Sequence, residues 1–182
     1  PAGYVVSPKD LGGNDNTDSD IDPTSKVTAP VVITVGEQNL SVDAGLYRTA
    51  EIGDRVWYDT NKNGVQDAGE AGVQGVKVTL LDAAGVALGS PLVTDANGNY
   101  LFTGLKPGTY SVQFDKTTLP TGYGFTGKDL GGNDTLDSDA DQTTGKTIQT
   151  VLDSGESDKS WDAGIAANAN SLKASIGDKV WC

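Results

Sequence analysis

The stretch DTNKNGVQDAGE, residues 59–70, carries oxygen-bearing side chains at a spacing that suits a hard cation. Asp59, Asn61 and Asn63 stand at its first, third and fifth positions, Gly64 at the sixth, Asp67 at the ninth and Glu70 at the twelfth. Calcium takes roughly six to eight oxygens at about 2.3–2.6 Å, and a twelve-residue loop supplies them in this order, with a backbone carbonyl at position seven. Val65 would give that carbonyl, Asp67 would act directly or through water, and Gly64 permits the sharp bend. The bland alternative is a polar inter-strand turn rich in Asn and Asp.

A second stretch, KDLGGNDTLDSDADQ (128–142), crowds Asp129, Asp134, Asp137, Asp139 and Asp141, with Asn133, into a short loop. Like charges a few ångströms apart at a protein surface repel by roughly a few kcal/mol per pair. A compact loop needs a compensating cation; otherwise it splays its carboxylates into water. The same pattern occurs earlier as Asp10, Asn14, Asp15, Asp18, Asp20 and Asp22. One or two Ca²⁺ ions per repeat are the expectation. Asp54 and Asp162 are weaker candidates, for which a strand-end salt bridge to Arg55 or Lys159 serves as well. Asp95, Asn97 and Asn99 read as a hairpin turn rather than a metal loop.

An EF-hand would need helices on both sides of 59–70, and the flanks deny them. IGDRVWY and GVKVTLL alternate with period two and are rich in β-branched and aromatic residues, while Gly53, Gly72 and Gly75 oppose helix extension. Further alternating segments follow: one around Val86–Val93, then NYLFTGL, GTYSVQFD, KTIQTVL and KSWDAGI, separated by DAAG, DANG and KPG turns. The spacing predicts seven short strands in an all-β, immunoglobulin-like sandwich.

Those elements belong to a repeat. PAGYVVSPKDLGGNDNTDSDID (1–22) matches PTGYGFTGKDLGGNDTLDSDAD (120–141) at an offset of 119 positions, and SVDAGL (41–46) matches SWDAGI (160–165) at the same offset. EIGDRVW (51–57) recurs as SIGDKVW (175–181). Residues 1–49 therefore read as the C-terminal half of a preceding repeat, 50–168 as a complete one, and 169–182 as a linker and the first strand of the next. A period near 120 residues equals a small domain, so tandem beads with short connectors are expected.

The 182-residue composition removes whole classes of function. There is no histidine, which excludes Ser-His-Asp and Cys-His catalysis and most zinc sites. The formal net charge of -12 lacks the Lys/Arg footprint of a nucleic-acid binder. No run approaches the roughly 20 apolar residues of a membrane span, and the lone cysteine, Cys182, leaves no internal disulfide. An enzyme is not expected.

IGDRVWYDTNKNGVQDAGEAGVQGVKVTLLD, TDANGNYLFTGLKPGTYSVQF, PTGY and WDAGI together resemble the Sdr-like B-type repeats of bacterial surface adhesins, relatives of the collagen-adhesin B-type (Cna-B) sandwiches. The resemblance covers 50–168 and recurs in fragments on both sides. It implies an extracellular stalk module at the bacterial cell surface, arrayed in tandem and stiffened by calcium. Its partners would be neighbouring repeats or head-to-tail copies in a fibre, with any host or surface ligand unspecified. A second reading is an adhesin module that grips a host protein or glycan, with Tyr123 and Phe125 of GYGF as its loop aromatics. Cna-B relatives often carry a Lys–Asn isopeptide crosslink; here the first strand offers Arg55, and KSWDAGI holds Asp162 and no asparagine, so calcium would replace that staple.

Overall fold

IGDRVWY lies within β3 (Ala50–Tyr58), the longest strand among the described residues. A computed structural model describes residues 1–168; the linker and strand expected over 169–182, and Cys182, lie outside the described residues. Around β3 the complete repeat contributes β4 (Lys77–Asp82), β5 (Leu92–Val93), β6 (Asn99–Leu105), β7 (Gly108–Phe114), β8 (Tyr123–Phe125), β9 (Thr150–Leu152), β10 (Ser157–Asp158) and β11 (Ala163–Ala167). One sheet runs β10-β3-β11-β8 with β6 also on β3, and the other runs β5-β4-β7-β9. The fold is an all-β, immunoglobulin-like sandwich, and among the described residues the sole helical segment is a single 3₁₀ turn, Lys116–Thr118.

β11 lies parallel to β3, with Ala163 opposite Val56 and Gly164 opposite Trp57. It pairs antiparallel with β8 through Ile165 and Phe125. In the second sheet Val78 faces Phe114 and Leu80 faces Val112. Ile52, Val56, Val78, Val112, Phe114 and Ile165 are buried and form the core. Tyr100 stands edge-on to Phe114 at 5.5 Å and donates its hydroxyl to the Trp161 carbonyl at 2.6 Å, so its one polar atom is satisfied inside the core.

The period-two reading of β3 puts Trp57 on the face opposite Ile52 and Val56, yet all three are buried. A central strand with neighbours on both edges and cover on both faces shows no polar side. The strand expected around Val86–Val93 shrinks to Leu92–Val93 plus a bridge from Ala87 to Leu81. Gly89 takes a positive φ of 69° and Pro91 lacks an N–H, so the ladder cannot run through them. KTIQTVL pairs as a strand only at Thr150–Leu152. Upstream, the Thr147 hydroxyl accepts the Val112 N–H at 3.1 Å in place of a backbone carbonyl. β8 and β10 are strands that the alternation did not announce.

Two turns meet where Gly72 passes the DANG hairpin. A Cβ on Gly72 would lie 1.8 Å from the Asn97 carbonyl oxygen, a backbone atom with nowhere to go. Gly72→Ala is expected to cost about 1–3 kcal/mol as overpacking, read as a lower urea midpoint with unchanged slope.

The chain falls into two compact units. One comprises Pro1–Glu51 with Thr103–Gly108 and Leu152–Ser157; the other begins with Ile52–Phe102 and Thr109–Val151 and continues from Asp158. The first unit carries β1 (Val5–Val6) and β2 (Leu46–Tyr47), paired antiparallel with Val5 opposite Tyr47.

Candidate metal centre

Asp59 follows directly on β3 and is anchored by its N–H to the Ile165 carbonyl at 2.9 Å. Its side chain is buried. Oδ1 accepts the Asn63 N–H at 3.1 Å, and Oδ2 accepts the Gly64 N–H at 2.9 Å and the Thr126 hydroxyl. Glu70 closes the far end, taking the Thr60 N–H at 2.7 Å and the Asp67 N–H at 3.0 Å. Asp67 Oδ2 receives the side-chain amides of Asn61 at 2.7 Å and Asn63 at 2.9 Å. The side chains at loop positions one, three, five, nine and twelve are thus tied into one hydrogen-bonded loop, joined to strands rather than helices. Gly64 has φ 77°, the left-handed bend its position demands.

The acidic stretch brings Asp129, Asp137 and Asp139 together, with one oxygen from each lying within 4.8 Å of the others. Asp129 is held by its N–H on the Ser138 carbonyl and has φ 54°; Asp137 accepts the Gly131 N–H at 3.1 Å. Asp137 and Asp139 are buried. The earlier copy repeats the arrangement with Asp10, Asp18 and Asp20, and here Asp18 Oδ1 is buried without a hydrogen-bond partner. Three hard oxygens converging on one point, with an orphaned carboxylate oxygen in the copy, fit a calcium-type cation.

The remaining candidates lie outside these triads. Asn133 and Asn14 shape the turn, each carbonyl accepting the N–H of the fourth residue on, Asp137 and Asp18. Asp134 and Asp15 are exposed. Asp141 caps the next turn, its Oδ1 accepting the Thr143 and Thr144 N–H groups, and Asp22 does the same for Thr24 and Ser25. Asp95 caps the DANG turn through the N–H groups of Asn97 and Asn99.

The two stretches that the sequence presents separately are stitched into one centre. Val65 and Asp137 form an antiparallel bridge, flanked by Ser138 N–H to the Gly64 carbonyl at 3.0 Å and Gln66 N–H to the Leu136 carbonyl at 2.6 Å. The Val65 carbonyl falls outside both bonds. Gly131 is required beside it, since a Cβ there would lie 2.8 Å from Val65 Cγ2. Thr126, Gly131 and Ser138 therefore serve the site, although none bears a charge. Their one sequence signal is recurrence, as Ser7, Gly12 and Ser19.

Beneath the triad, Asp162 N–H donates to Asp139 Oδ2 at 2.7 Å, and the Asp139 N–H donates to the Asp162 carbonyl at 2.9 Å. Asp162 Oδ1 accepts the Arg55 N–H at 3.1 Å, while its Oδ2 is buried and unpartnered. The Arg55 guanidinium is committed to the carbonyls of Asn97 and Glu70. Burial pushes the Asp139 carboxyl up to about 8, reinforced by the charges of Asp134, Asp137 and Asp129 against the pull of its Asp162 hydrogen bond. Burial and then the Asp54 charge push Asp162 up to about 9.

Both groups hold a proton in the metal-free fold that the unfolded chain releases above its ordinary value of 3.8. The folded state then binds more protons than the unfolded one, so stability falls as pH rises from about 4 to about 8. Urea midpoints in chelator are expected to be lower at pH 8 than at pH 5.

Thr126→Val is expected to cost roughly 1–3 kcal/mol by leaving buried Asp59 Oδ2 short of a donor. Chemical denaturation measures that loss, and a Thr126→Val/Asp59→Ala double-mutant cycle reads the coupling between the loops.

The geometry sits within a known domain type. The chain matches the SdrD B-like domain over residues 1–46 and 50–165. It is 38% identical over all 182 residues to serine-aspartate repeat-containing protein F of Staphylococcus epidermidis, covering 100% of this chain and 9% of that protein. It is also 38% identical to serine-aspartate repeat-containing protein D of Staphylococcus aureus strain Newman, again over the whole chain and 12% of that protein. The chain thus spans about a tenth of the relatives it matches. Among solved structures it aligns with BcpA, the major pilin subunit of Bacillus cereus, at 18% identity and TM-score 0.41 over 65% of this chain and 29% of that one. It aligns with GBS52, the minor pilin of Streptococcus agalactiae, at 15% identity and TM-score 0.38 over 82% and 60%. With its match to that domain along nearly the whole length, the chain belongs to the SdrD B-like domain family.

Proposed function

We propose that this chain is a calcium-stapled spacer from an extracellular bacterial surface protein, with residues 1–49 the second half of one repeat, 50–168 a complete repeat, and 169–182 a linker into the next. The observation that carries the reading is the stitching of the 59–70 loop to the Asp129–Asp137–Asp139 triad. Asp59, Asn61, Asn63, Asp67, Glu70 and the Val65 carbonyl would hold one ion, and the triad a second. Calcium would supply the positive charge that otherwise has to come from protons on the buried carboxyls. Because strands flank the loop, no helices can swing open on binding, so the ion acts as a staple rather than a switch. Neighbouring repeats are the natural partners of such a module.

The test is titration calorimetry of chelated protein with Ca²⁺, expected to give at least two sites per complete repeat with Kd in the range of about 10⁻⁴ M or tighter. Absence of saturable binding at millimolar calcium would overturn the proposal. The adhesin-module alternative loses its candidate aromatics: Tyr123 and Phe125 lie in β8, with Phe125 buried and Tyr123 packed edge-on to Tyr58 at 5.2 Å.

A further inference from the structure

The passage from the first repeat segment into the complete repeat is short. β2 ends at Tyr47 and β3 begins at Ala50, so only Arg48 and Thr49 lie between them. Both residues are exposed, yet the connector is bonded on its backbone. The Arg48 N–H donates to Ser154 Oγ at 2.8 Å, and the Gly155 N–H donates to the Arg48 carbonyl at 3.2 Å. Just beyond, the Glu51 N–H donates to the Glu156 carbonyl at 2.9 Å, and the Ser157 hydroxyl donates to Glu51 Oε1 at 2.6 Å. The Arg48 guanidinium lies over the Tyr4 ring, 5.3 Å from its centre. Its stem covers Gly155, where a Cβ would come within 3.1 Å of Arg48 Cδ. All of these residues belong to the first compact unit.

The repeat itself shows which of these groups the fold does not need. The turn DSGE (153–156) closes with the Asp153 N–H on Glu156 Oε2 at 2.6 Å, the Glu156 N–H on the Asp153 carbonyl at 3.2 Å, and Gly155 at φ 83°. At the offset of 119, TVGE (34–37) makes the same turn. The Thr34 N–H donates to Glu37 Oε2 at 2.9 Å, the Glu37 N–H to the Thr34 carbonyl at 3.1 Å, and Gly36 has φ 85°. There an exposed valine, Val35, stands at the position of Ser154. The turn therefore forms without the hydroxyl. Likewise the match of Arg48 is Ala167, which lies opposite Tyr123 in the ladder of β11 and β8. That strand end forms without a guanidinium. The two groups that the repeat can spare are the two that meet at the connector.

We infer that Arg48 and the 153–156 turn form a clasp between consecutive repeats, in which the turn of one repeat is the contact face for the last strand of the repeat before it. Arginine suits the position because its planar guanidinium stacks on an aromatic ring while its apolar stem covers bare backbone. Gly155 supplies that bare backbone and, at its positive φ, aims its N–H at the Arg48 carbonyl. A two-residue connector held at both its amide and its carbonyl is part of the fold and not a free linker. The inference rests on the assignment of 1–49 and 50–168 to consecutive repeats and is independent of calcium.

Trypsin tests the clasp in the full chain, because Arg48 is itself a cleavage site. Cutting there needs the backbone to leave its partners, so the Arg48–Thr49 bond is expected to be cut far more slowly than in a synthetic peptide of residues 40–56. Ser154→Val, which installs the residue of the sister turn, is expected to speed cutting at that bond about tenfold, with Lys77 in β4 cut no faster. Arg48→Ala installs the residue of position 167 and removes the cleavage site, so amide exchange reads it. The Gly155 and Glu51 N–H groups are expected to exchange about tenfold faster, with the amides of β4 and β7 unchanged. Cutting of the parent at the peptide's rate, or cutting and exchange indifferent to the two variants, would overturn the inference. Faster cutting of Ser154→Val at Arg48 and Lys77 together would do so as well, by assigning the hydroxyl to the general fold. All variants are compared in one calcium-containing buffer, so a failed calcium titration leaves this experiment standing. A loose connector leaves the titration standing, and the two readings fail separately.

Discussion

Chelating calcium from the full chain is expected to lower its thermal midpoint by roughly 10 °C for each site lost. A ligand present at 100 times its Kd adds about 2.7 kcal/mol of stability, and at this domain size about 4 °C follows each kcal/mol. The effect is a large share of the roughly 5–15 kcal/mol that holds a typical domain together. Its structural origin is the crowding of Asp129, Asp137 and Asp139 around one point, two of them buried. Without a cation the crowding is relieved by protons or by opening of the loop, and either costs the fold. Scanning calorimetry with calcium, with chelator and with calcium restored measures the shift. Magnesium at the same concentration should do markedly less, because its smaller shell demands near-octahedral geometry and retains water. A melt unchanged by chelator would sink the staple.

Trp57→Ala is expected to be the most damaging single core substitution, costing about 3–5 kcal/mol. Trp57 is fully buried, and Gly164, its register partner on the neighbouring strand β11, is bare so that the indole can lie against it. Deleting the ring leaves a hole bordered by backbone that cannot collapse. The thermal midpoint should fall by roughly 12–20 °C on the same scale. The damage should also reach the metal centre, since β3 delivers Asp59 two residues later and the Asp59 N–H is held by Ile165 of β11. Calcium affinity should therefore weaken along with stability, whereas Leu80→Ala, buried in β4 of the other sheet, should lower stability with less effect on affinity. Titration calorimetry on both variants separates the two. A Trp57→Ala protein that melted within a few degrees of the parent would show that β3 is not the keystone of this sandwich.

The loop 59–70 was legible as a compact connection between strands, because its polar side chains bond within the loop and glycine at the bend is a single-residue requirement. The strands of the complete repeat were legible where alternation is clean, as in β4, β6 and β7. They were illegible where pairing depends on partners far away in sequence. GYGF has no alternation to show, yet it becomes β8 because β11 lies beside it with Ile165 opposite Phe125. Asp141 and Asp22 each cap a turn through Oδ1, a contact that their spacing in the acidic stretch does not announce.

What the sequence determined by itself is the repeat, the all-β class, the two oxygen-rich loops and the exclusion of histidine chemistry. All of these depend on residue type and short-range periodicity. Tertiary structure alone decided that the two loops lie against each other. Asp59 reaches Thr126 across 67 positions, and Gly64 reaches Ser138 through a backbone bond that carries no residue signature. It also decided that Asp162 is buried with an orphaned oxygen, and that the first acidic copy keeps the same backbone framework. Burial and backbone pairing are properties of segments that meet in space, and they leave no mark on the spacing of side chains along the chain.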